Sequence, residues 1–569
     1  MKNVLTFTLI IFNILNIFGQ DFYVSTTGND TNTGTLSSPF ATIQNAIDNV
    51  TAGSTIYILS GTYSTETIWL DNIHGSINDT ITIKNYQNDE VIINGLNLTT
   101  DAEILYIENA SFIKIENIIL KNNERNNASG ILVVGNCQNI TINNCEITNI
   151  NFSANSSEAP TSSDNAYPLL IFGDNGTEAN SNIIITNNKI HDCRTGWSEG
   201  LAINGNIDGF EIRNNEVYNI SNIGIDAIGY ENAAPENDYA RNGIISQNTV
   251  HNCPSPYADC AGIYIDGARN IIIERNLCYN NQYGIEIGNE HAGTTTQDIT
   301  VRNNIIHSNT YAGVLIGGYT GEVTSCTVSG NTVYGNNTSN TWRGELELSD
   351  KLSNTIIENN IFSATNTDNL IVLADGTEPN GISLNYNVYY QENGSSTTDF
   401  DWYGTNYNFS EFQNNTSNAT NSNFGFPNFN NVNIFDFHLQ NLSFALDAGN
   451  PNYIVSPNET DFEGNDRIIG NTINCGALEK GMPALVKNNF TESDKIKIYP
   501  NPTYDQITIE STEIINSIEI FDITGKNIQG VKTTHQEFKT QTHLSVSTLK
   551  NGLYYIKINN NNTVKFIKQ

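Results

Sequence analysis

A chain of 569 residues exceeds what one ordinary hydrophobic core supports, so its length indicates either several domains or an elongated repeat architecture. Its 60 acidic residues against 26 basic ones give a formal charge of −34, which opposes binding to nucleic acid or to an anionic lipid surface. Net charge describes the whole surface, however, so an acidic sugar stays compatible wherever an Arg or a bridging cation lines a groove.

The N-terminus has the layout of a secretory signal peptide. Met1 and Lys2 precede a mostly apolar run from Val4 to Phe18, and the small residue Gly19 follows. This pattern predicts a signal peptide over residues 1–19. No later stretch approaches the roughly 20 consecutive apolar residues that a membrane helix needs. We therefore expect a mature chain that lies outside the cytoplasm and has no transmembrane segment.

A short β-branched run that ends in Asn recurs between Ile115 and Tyr389, for example as IKIEN, ITINN, FEIRNN and IIIERN. The last Asn of each run falls at 117, 144, 188, 215, 248, 276, 304, 331, 360 and 387, and most intervals are 27 to 29 residues. That period is too long for a hairpin repeat but holds several short strands, so it predicts one solenoid coil per repeat. The repeated Asn predicts a buried ladder of side-chain amides at one corner.

A second recurring strand has the pattern Gly, apolar, any residue, apolar. GILVVG, GLAING, GIDAIG, GIYIDG and GIEIGN are examples. Alternation along the fourth of these strands directs Ile263 and Ile265 inward and Tyr264 and Asp266 outward. We call these the Gly-apolar strands.

Eight cysteines are too few in so long a chain for a disulfide framework. Those that follow a repeated Asn suit a buried turn, and they are Cys145, Cys193, Cys253, Cys278 and Cys326. Cys253 and Cys260 bracket the segment PSPYAD and are also suited to a local disulfide. The chain has no CxxC or HExxH pattern, so spacing gives no indication of a zinc site.

These repeats resemble the pectin-lyase-like superfamily of right-handed parallel β-helices. The opening FYVSTTGNDTNTGTLSSPFATIQNAIDNV is similar to the start of many exported members, in which an amphipathic helix, here about Thr42 to Val50, caps the first coil. The end, FALDAGNP followed by DFEGNDRIIGNTINCGALE, is typical of the closing part of such chains. The resemblance implies an all-β solenoid, predicted over residues 20–482, in a superfamily of lyases, hydrolases, epimerases and adhesins.

A separate module follows a predicted linker at residues 483–493. From residue 494 onward the chain contains nine Lys and seven acidic residues, unlike the strongly acidic remainder. Its segments KIKIYPNP, SIEIFDITGK and LKNGLYYIKI have the pattern of strands joined by turns. These segments resemble the C-terminal sorting domain of the Bacteroidetes type IX secretion system, a small β-sandwich here over residues 494–569. The resemblance implies export across the outer membrane by the type IX machinery, with release or attachment at the cell surface.

Two coils are longer than the others. The interval from Asn144 to Asn188 is 44 residues and that from Asn215 to Asn248 is 33. The inserted segments NFSANSSEAPTSSDNAYP and YENAAPENDYA both adjoin Gly-apolar strands. We therefore expect them to wall a groove over these strands, which is the candidate site.

Stacking the Gly-apolar strands by their Gly places one outward side chain of each coil in an exposed row, about 4.8 Å apart. The row consists of Ala202, Asp226, Tyr264, Glu286 and Leu315. Glycoside hydrolysis needs two carboxyl groups. The four candidate carboxyls are Asp226, Asp266, Glu286 and Glu290. Asp266 lies in the adjacent row, as the diagonal neighbour of Glu286. We favour Asp266 and Glu286 as the catalytic pair, and Glu290 is a close substitute for either.

β-Elimination is the alternative chemistry, because a polysaccharide lyase or epimerase needs a base and neutralisation of a uronate. The candidate residues for it are His291, Tyr264 and Arg269. Many β-helix lyases use Lys or Arg with calcium, and the candidate Ca²⁺ ligands here are Asp226, Asp259 and Asp266. No Lys lies between Lys189 and Lys351, which disfavours a lysine base.

The expected partner of the groove is a polysaccharide. The candidate substrate-binding residues are Glu199, Trp197, Tyr230, Glu231, Tyr264 and Arg269. Taken together, these features favour a monomeric glycoside hydrolase that requires no cofactor. A calcium-assisted lyase or an epimerase is the first alternative, and a non-catalytic adhesin or glycan binder is the second.

Overall fold

The computed structural model describes residues 19–480 apart from 65, 100–101, 366–369 and 377–379, and residues 496–569 apart from 512–514, 516, 523–525, 527, 529–539 and 560–561. The predicted signal peptide and linker lie outside these residues, except for Gly19. The chain forms two compact units, residues 1–482 and 483–569. Within the described residues, no helix has both the length and the apolar character that a membrane span requires.

The first unit is the predicted right-handed parallel β-helix. Most coils contribute one strand to each of three parallel sheets, numbered 1 to 3 in the order in which the chain enters them, and two coils contribute two short strands each to sheet 1. The Asn runs lie in sheet 1 and the Gly-apolar strands in sheet 3.

Sheet 1 contains Asp21–Val24, Thr55–Ile58, Ile81–Asn85, Ser111–Glu116, Gln138–Asn143, Asn180–Thr186, Ile207–Arg213, Ala240–Ser246, Arg269–Glu274, Thr295–Arg302, Glu322–Thr324, Thr327–Ser329, Leu352–Ser353, Ile356–Glu358 and Ser383–Asn385. Sheet 2 contains Gly61–Ser64, Val91–Asn94, Ile119–Glu124, Glu146–Asn151, Lys189–Cys193, Glu216–Ile220, Thr249–His251, Leu277–Tyr279, Ile305–His307, Thr332–Tyr334, Ile361–Ala364, Val388–Gln391 and Asn423–Phe424. Sheet 3 contains Ile68–Asp71, Glu103–Glu108, Ala128–Val134, Ala166–Gly173, Leu201–Gly205, Ile225–Ile228, Ala261–Asp266, Tyr283–Gly288, Val314–Ile316, Gly344–Leu348, Leu370–Ala374, Phe400–Trp402 and the antiparallel Thr405–Tyr407.

Short elements close both ends of the solenoid. The capping helix is Ile43–Ile47, shorter than predicted, and Thr42 is its N-cap, accepting from the N–H of Asn45 at 3.2 Å. At the far end lies the helix Phe409–Thr416. The described part of this unit also contains the 3₁₀ turns Gly95–Asn97 and Val432–Ile434 and an antiparallel pair, Phe429–Asn431 with Asp436–Leu439.

The predicted Asn ladder exists, but it begins at Asn188 and not at Asn117. From Asn188 to Asn360, each side-chain amide bonds to the side-chain oxygen of the Asn one coil later at 2.9–3.0 Å. Asn117 and Asn144 instead occupy the preceding, left-handed turn position, with φ of 60° and 51°. In these two coils the ladder position one residue later is held by Ile118 and Cys145. The motif alone did not separate two adjacent Asn positions of the turn.

A second Asn ladder runs between sheets 2 and 3, and the sequence analysis did not identify it. The backbone N–H of Asn281 donates to Asn309 at 2.9 Å, and that of Asn309 donates to Asn336 at 3.0 Å. The ladder ends on Glu345, a fully buried carboxyl that accepts from the side chain of Asn336 at 2.7 Å. Burial raises the pKa of Glu345 to about 8.

The glycines of the Gly-apolar strands make room for this second ladder. A Cβ on Gly284 would lie 2.3 Å from Cγ2 of Ile306, 2.7 Å from the carbonyl oxygen of Gly313 and 2.9 Å from Nδ2 of Asn309. The repeated Gly is therefore a packing requirement of the coil.

We expect Gly284→Ala to lower the free energy of unfolding by about 3 kcal/mol, because backbone and ladder atoms must move to admit the methyl group. Gly293→Ala is the control, since its Cβ would meet nothing within 4 Å. Gly293 has a φ of +80°, so we expect Gly293→Ala to lower the free energy of unfolding by only ~1 kcal/mol, from placing Ala in a left-handed conformation. Urea unfolding of both variants measures the difference, and equal losses would contradict the steric explanation.

All eight cysteines are buried free thiols, and Cys253 and Cys260 form no disulfide. The thiol of Cys260 instead donates to the carbonyl oxygen of Cys253 at 3.2 Å and to Gln282 at 2.8 Å. Burial raises the pKa of the Cys253 thiol to about 12, so the thiolate needed for disulfide exchange is disfavoured.

The second unit consists of two small antiparallel sheets around its own apolar core. Their strands are Ile496–Tyr499, Gln506–Ser511 and Gln541–Ser545 in one sheet, and Ile518–Asp522, Gly552–Ile558 and Asn562–Lys568 in the other.

The two insertions lie at opposite edges of sheet 3. Residues 152–165 connect sheet 2 to sheet 3, and residues 229–239 connect sheet 3 to sheet 1. We call these the 2–3 edge and the 3–1 edge. The strands that these connections adjoin, Ala166–Gly173 and Ile225–Ile228, are two coils apart in sheet 3, so we expect the groove over the centre of this sheet.

Candidate functional site

The outer face of sheet 3 carries the predicted row. The register aligns, from coil to coil, Ala202, Asp226, Tyr264, Glu286 and Leu315. Asp266 is aligned with Gly288 in the next row, which makes it the diagonal neighbour of Glu286. One strand spacing and two residues of rise put the two positions about 8 Å apart.

The floor of the groove is more enclosed than the sequence indicated. Asp226, Tyr264 and Asp266 are only 2%, 6% and 4% exposed, so the expectation of an exposed patch is wrong for these three. Glu286 is half-buried and Glu290 is exposed. The Tyr264 hydroxyl lies where a side chain on Gly288 would stand, 2.6 Å from its hypothetical Cβ, and so helps to cover the floor.

Tyr264 and Asp266 both contact the turn that follows strand Tyr283–Gly288. The Tyr264 hydroxyl lies 3.4 Å from Oε1 of Glu290, and the backbone N–H of Glu290 donates to Oδ1 of Asp266 at 2.9 Å. Asp266 therefore fixes the backbone of this turn, while the exposed carboxylate of Glu290 faces the groove.

Burial is the main cause of the pKa shifts in the site, and repulsion between neighbouring carboxylates adds to it. Burial, with the charge of Glu231 next, raises the pKa of Glu199 to about 8. Burial raises the pKa of Asp266 to about 7 and holds those of Asp226 and Glu286 well above the usual carboxyl range. Nearby carboxylates add to each shift, because adjacent negative charges disfavour ionisation in a low dielectric.

We expect Asp226→Asn to raise the free energy of unfolding at pH 8 by about 1–3 kcal/mol, and to change it little at pH 4, in buffer containing a chelator. In the unfolded chain Asp226 ionises freely as pH rises, whereas its raised folded pKa opposes ionisation, so the wild type loses stability with rising pH. Asp298→Asn, at an exposed position, is the control. Urea unfolding at the two pH values measures the effect, and an equal gain at both would contradict a titration origin.

Three potential ligand groups converge at the 3–1 edge. Side-chain donor atoms of Glu231, Asp266 and His291 all lie within 4.8 Å of one another. Asn204 fixes Glu231 by donating to its Oε2 at 2.7 Å. Nε2 of His291 lies 3.7 Å from Oδ2 of Asp266.

The calcium set expected from the sequence does not converge. Asp259 lies at the 2–3 edge, where its carboxylate pairs with Arg343 at 3.0 Å. Among the described residues, one group of three acidic or histidine side chains is compact enough to bind a single ion. It consists of Glu231, Asp266 and His291. The reason is topological, since Asp259 precedes its strand while Asp266 ends it.

Arg269 and Tyr230 form part of the wall. The Arg269 guanidinium donates to the Tyr230 hydroxyl and lies 4.4 Å from the centroid of the Tyr239 ring. Arg269 is the one Arg predicted from the sequence to line the groove, and its guanidinium is already engaged in this cation–π contact.

Trp197 provides an exposed aromatic surface at the 2–3 edge, and 42% of the residue is accessible. Its indole N–H donates to the carbonyl oxygen of Thr161 in the first insertion at 2.9 Å, and its ring packs on Tyr257 with centroids 5.1 Å apart. These two contacts fix the orientation of the ring at this edge.

Arg343 was not identified from the sequence. Its guanidinium lies 4.9 Å from the ring centroids of both Tyr283 and Tyr311 and bonds to both oxygens of Glu347 at 2.9 Å. Glu347 continues the outward row beyond Leu315, so extending the stacking by one more coil was the signal that could have found it.

Comparison with known proteins identifies matching families over both units. The family described as Pel9A-like, right-handed β-helix region matches residues 22–253, and a general right-handed β-helix family matches residues 178–337 and 240–419. The secretion system C-terminal sorting domain family matches residues 497–569.

Individual relatives extend these matches. The uncharacterized protein YwoF of Bacillus subtilis is 34% identical over 440 residues, which is 74% of this chain and 91% of YwoF. Pectate lyase PEL9 of Emericella nidulans is 31% identical over 118 residues, which is 19% of this chain and 29% of PEL9. The crystal structure of pectate lyase Pel9A aligns with 82% of this chain and 97% of its own, at 15% identity and a TM-score of 0.41.

Proposed function

This chain belongs to the Pel9A-like family of right-handed β-helix proteins and carries a type IX secretion sorting domain, and we propose that it is an exported hydrolase of polysaccharides. The observation that carries the proposal is the cluster of carboxyls on sheet 3, where burial raises the pKa of Glu286 and the exposed carboxylate of Glu290 acts on it. A hydrolase needs this combination of a carboxylic acid and a carboxylate.

Glu286 is the proposed general acid. Burial raises its pKa well above the usual carboxyl range, which favours the protonated form, and the residue is only partly buried. It would deliver that proton to the glycosidic oxygen as the bond to the sugar breaks.

Glu290 is the proposed base, in place of the Asp266 favoured from the sequence. Asp266 is almost sealed and accepts from the backbone of Glu290, whereas Glu290 is exposed and is the carboxylate with the largest effect on Glu286. Glu290 would take a proton from the attacking water, and the Tyr264 hydroxyl would hold its carboxylate in place.

We propose that cleavage inverts the configuration at the sugar. Glu286 and Glu290 are four residues apart along a chain that leaves the strand at Gly288. We expect the wider carboxyl separation of inverting enzymes, about 6.5–9.5 Å, which leaves room for a water, and not the ~5 Å of retaining ones. Trp197 would stack on a neighbouring sugar.

A uronate lyase or epimerase is the second candidate, favoured by the likeness of one segment to pectate lyase PEL9. Against it stand the carboxylates of the groove, which repel a uronate, and the commitment of Arg269 to Tyr230 and Tyr239.

Incubation of the mature protein with neutral and uronate polysaccharides tests the proposal. We expect new reducing ends from a neutral polymer, with the inverted anomer appearing first in proton NMR spectra. An ultraviolet-absorbing unsaturated product would establish the lyase instead. Binding without turnover on any polymer would establish a glycan binder or adhesin.

A further inference from the structure

The ligand groups at the 3–1 edge come from three successive coils. Glu231 follows strand Ile225–Ile228, Asp266 ends strand Ala261–Asp266, and His291 follows strand Tyr283–Gly288. Neighbouring groups hold two of them: Asn204 bonds to Glu231, and the N–H of Glu290 bonds to one oxygen of Asp266. The remaining oxygen of Asp266 faces Nε2 of His291.

The separation of Asp266 and His291 suits an ion between them better than a direct bond. Oδ2 and Nε2 are 3.7 Å apart, beyond the usual 2.7–3.2 Å of such a hydrogen bond. Two ligands at about 2.0–2.2 Å from one tetrahedral cation lie ~3.4 Å apart. Small side-chain shifts therefore bring both atoms into coordination distance.

Two buried polar atoms beside the cluster lack a partner. Within the described residues, Nε2 of His291 and Oδ1 of Asp226 are buried atoms without a hydrogen-bond partner, although 30% of the His291 side chain is accessible. Asp226 is 2% exposed, and the charged groups that act on it include Asp266 and Glu231 of the cluster. Leaving such atoms unsatisfied is costly, and Nε2 of His291, which belongs to the cluster, points to a missing ligand there.

The surrounding charge also lacks compensation. The carboxyls that act on one another here are Glu199, Asp226, Glu231, Asp266, Glu286 and Glu290. Within the part of the chain that the structure describes, His291 alone among the basic side chains lies within ion-pair range of any of these carboxyls. A divalent cation would supply the missing positive charge.

We propose that Glu231, Asp266 and His291 bind one divalent transition-metal cation, Zn²⁺ or Mn²⁺, at the 3–1 edge of sheet 3. Two carboxylates and an imidazole form a mixed oxygen and nitrogen donor set, which suits these ions, whereas Ca²⁺ takes six to eight oxygen ligands. Water or a sugar hydroxyl would complete the coordination.

The cation would join the second insertion to the floor of the groove. Glu231 is exposed on segment 229–239, while Asp266 is buried in the sheet. Binding would therefore hold this segment against the 3–1 edge and set the width of the groove. This inference is independent of the proposed hydrolysis, because it concerns binding and the order of a loop.

Isothermal titration calorimetry of the chelator-treated, full-length protein with ZnCl₂, MnCl₂ and CaCl₂ tests the site. We expect one equivalent of Zn²⁺ or Mn²⁺ to bind, with CaCl₂ much weaker. His291→Ala and Glu231→Gln should each weaken binding by at least about 100-fold, since even groups outside the coordination sphere typically contribute about 10–100-fold. His74→Ala and Glu322→Gln, at exposed positions elsewhere, are the matched controls.

Limited proteolysis of segment 229–239 gives a second readout. The metal should protect this segment in the wild type and in the controls, but not in His291→Ala. Unchanged affinity in both ligand variants, tighter binding of Ca²⁺ than of the other ions, or no saturable binding would overturn the proposal. Each of these outcomes is independent of whether any polysaccharide is cleaved.

Discussion

Replacing Glu286 with Gln is expected to lower kcat on the cleaved polysaccharide by about 10²–10⁴-fold, the usual contribution of a general acid. Gln has nearly the same shape and cannot donate a proton to the leaving oxygen. KM should change little, since the groove and Trp197 remain in place. Initial rates of reducing-end release measure the loss, and an aryl glycoside with an acidic leaving group should recover most of it because protonation is then unnecessary.

Glu322→Gln is the matched control, because this Glu is exposed and lies outside the row. In the wild type, activity should persist above the usual carboxyl range and fall only as pH passes the raised pKa of Glu286. Asp266→Asn should retain more activity than Glu290→Gln if Glu290 is the base. Full activity of the Glu286 variant would rule out its assignment as the acid.

Replacing Asn304 with Ala is expected to lower the free energy of unfolding by about 3–5 kcal/mol, because several buried groups lose their partners at once. The Asn304 side chain accepts from the N–H of Asn276 at 2.8 Å and donates to the carbonyl oxygen of Ile273 and to Asn331, each at 2.9 Å. Chemical denaturation followed by circular dichroism measures the loss.

Asn144→Ala is the informative comparison, because the sequence places it in the same repeat as Asn304. Asn144 is exposed, and its side-chain amide donates to the neighbouring Asn117 at 2.7 Å. We expect the free energy of unfolding to fall by about 1 kcal/mol there, because Ala adopts the positive φ of this position less readily than Asn does. Similar losses at the two positions would show that the ladder contributes no special stability.

The fold could be predicted because its signals are periodic and local. Each coil repeats the same β-branched run and the same Gly-apolar strand, so the register of Asp226, Tyr264 and Glu286 follows from aligning their glycines. The second ladder was missed because Asn281, Asn309 and Asn336 precede strands without a fixed motif around them.

The chain by itself determined the solenoid, the sorting domain and the order of side chains along sheet 3, because strand alternation and coil length are properties of neighbouring residues. Tertiary structure alone decided which carboxyls are sealed, that Asp259 pairs with Arg343, and that Glu231 and His291 meet Asp266. These contacts join side chains from different coils at the sheet edges, where the path of irregular connections sets distance and burial. Sequence spacing carries no record of that path.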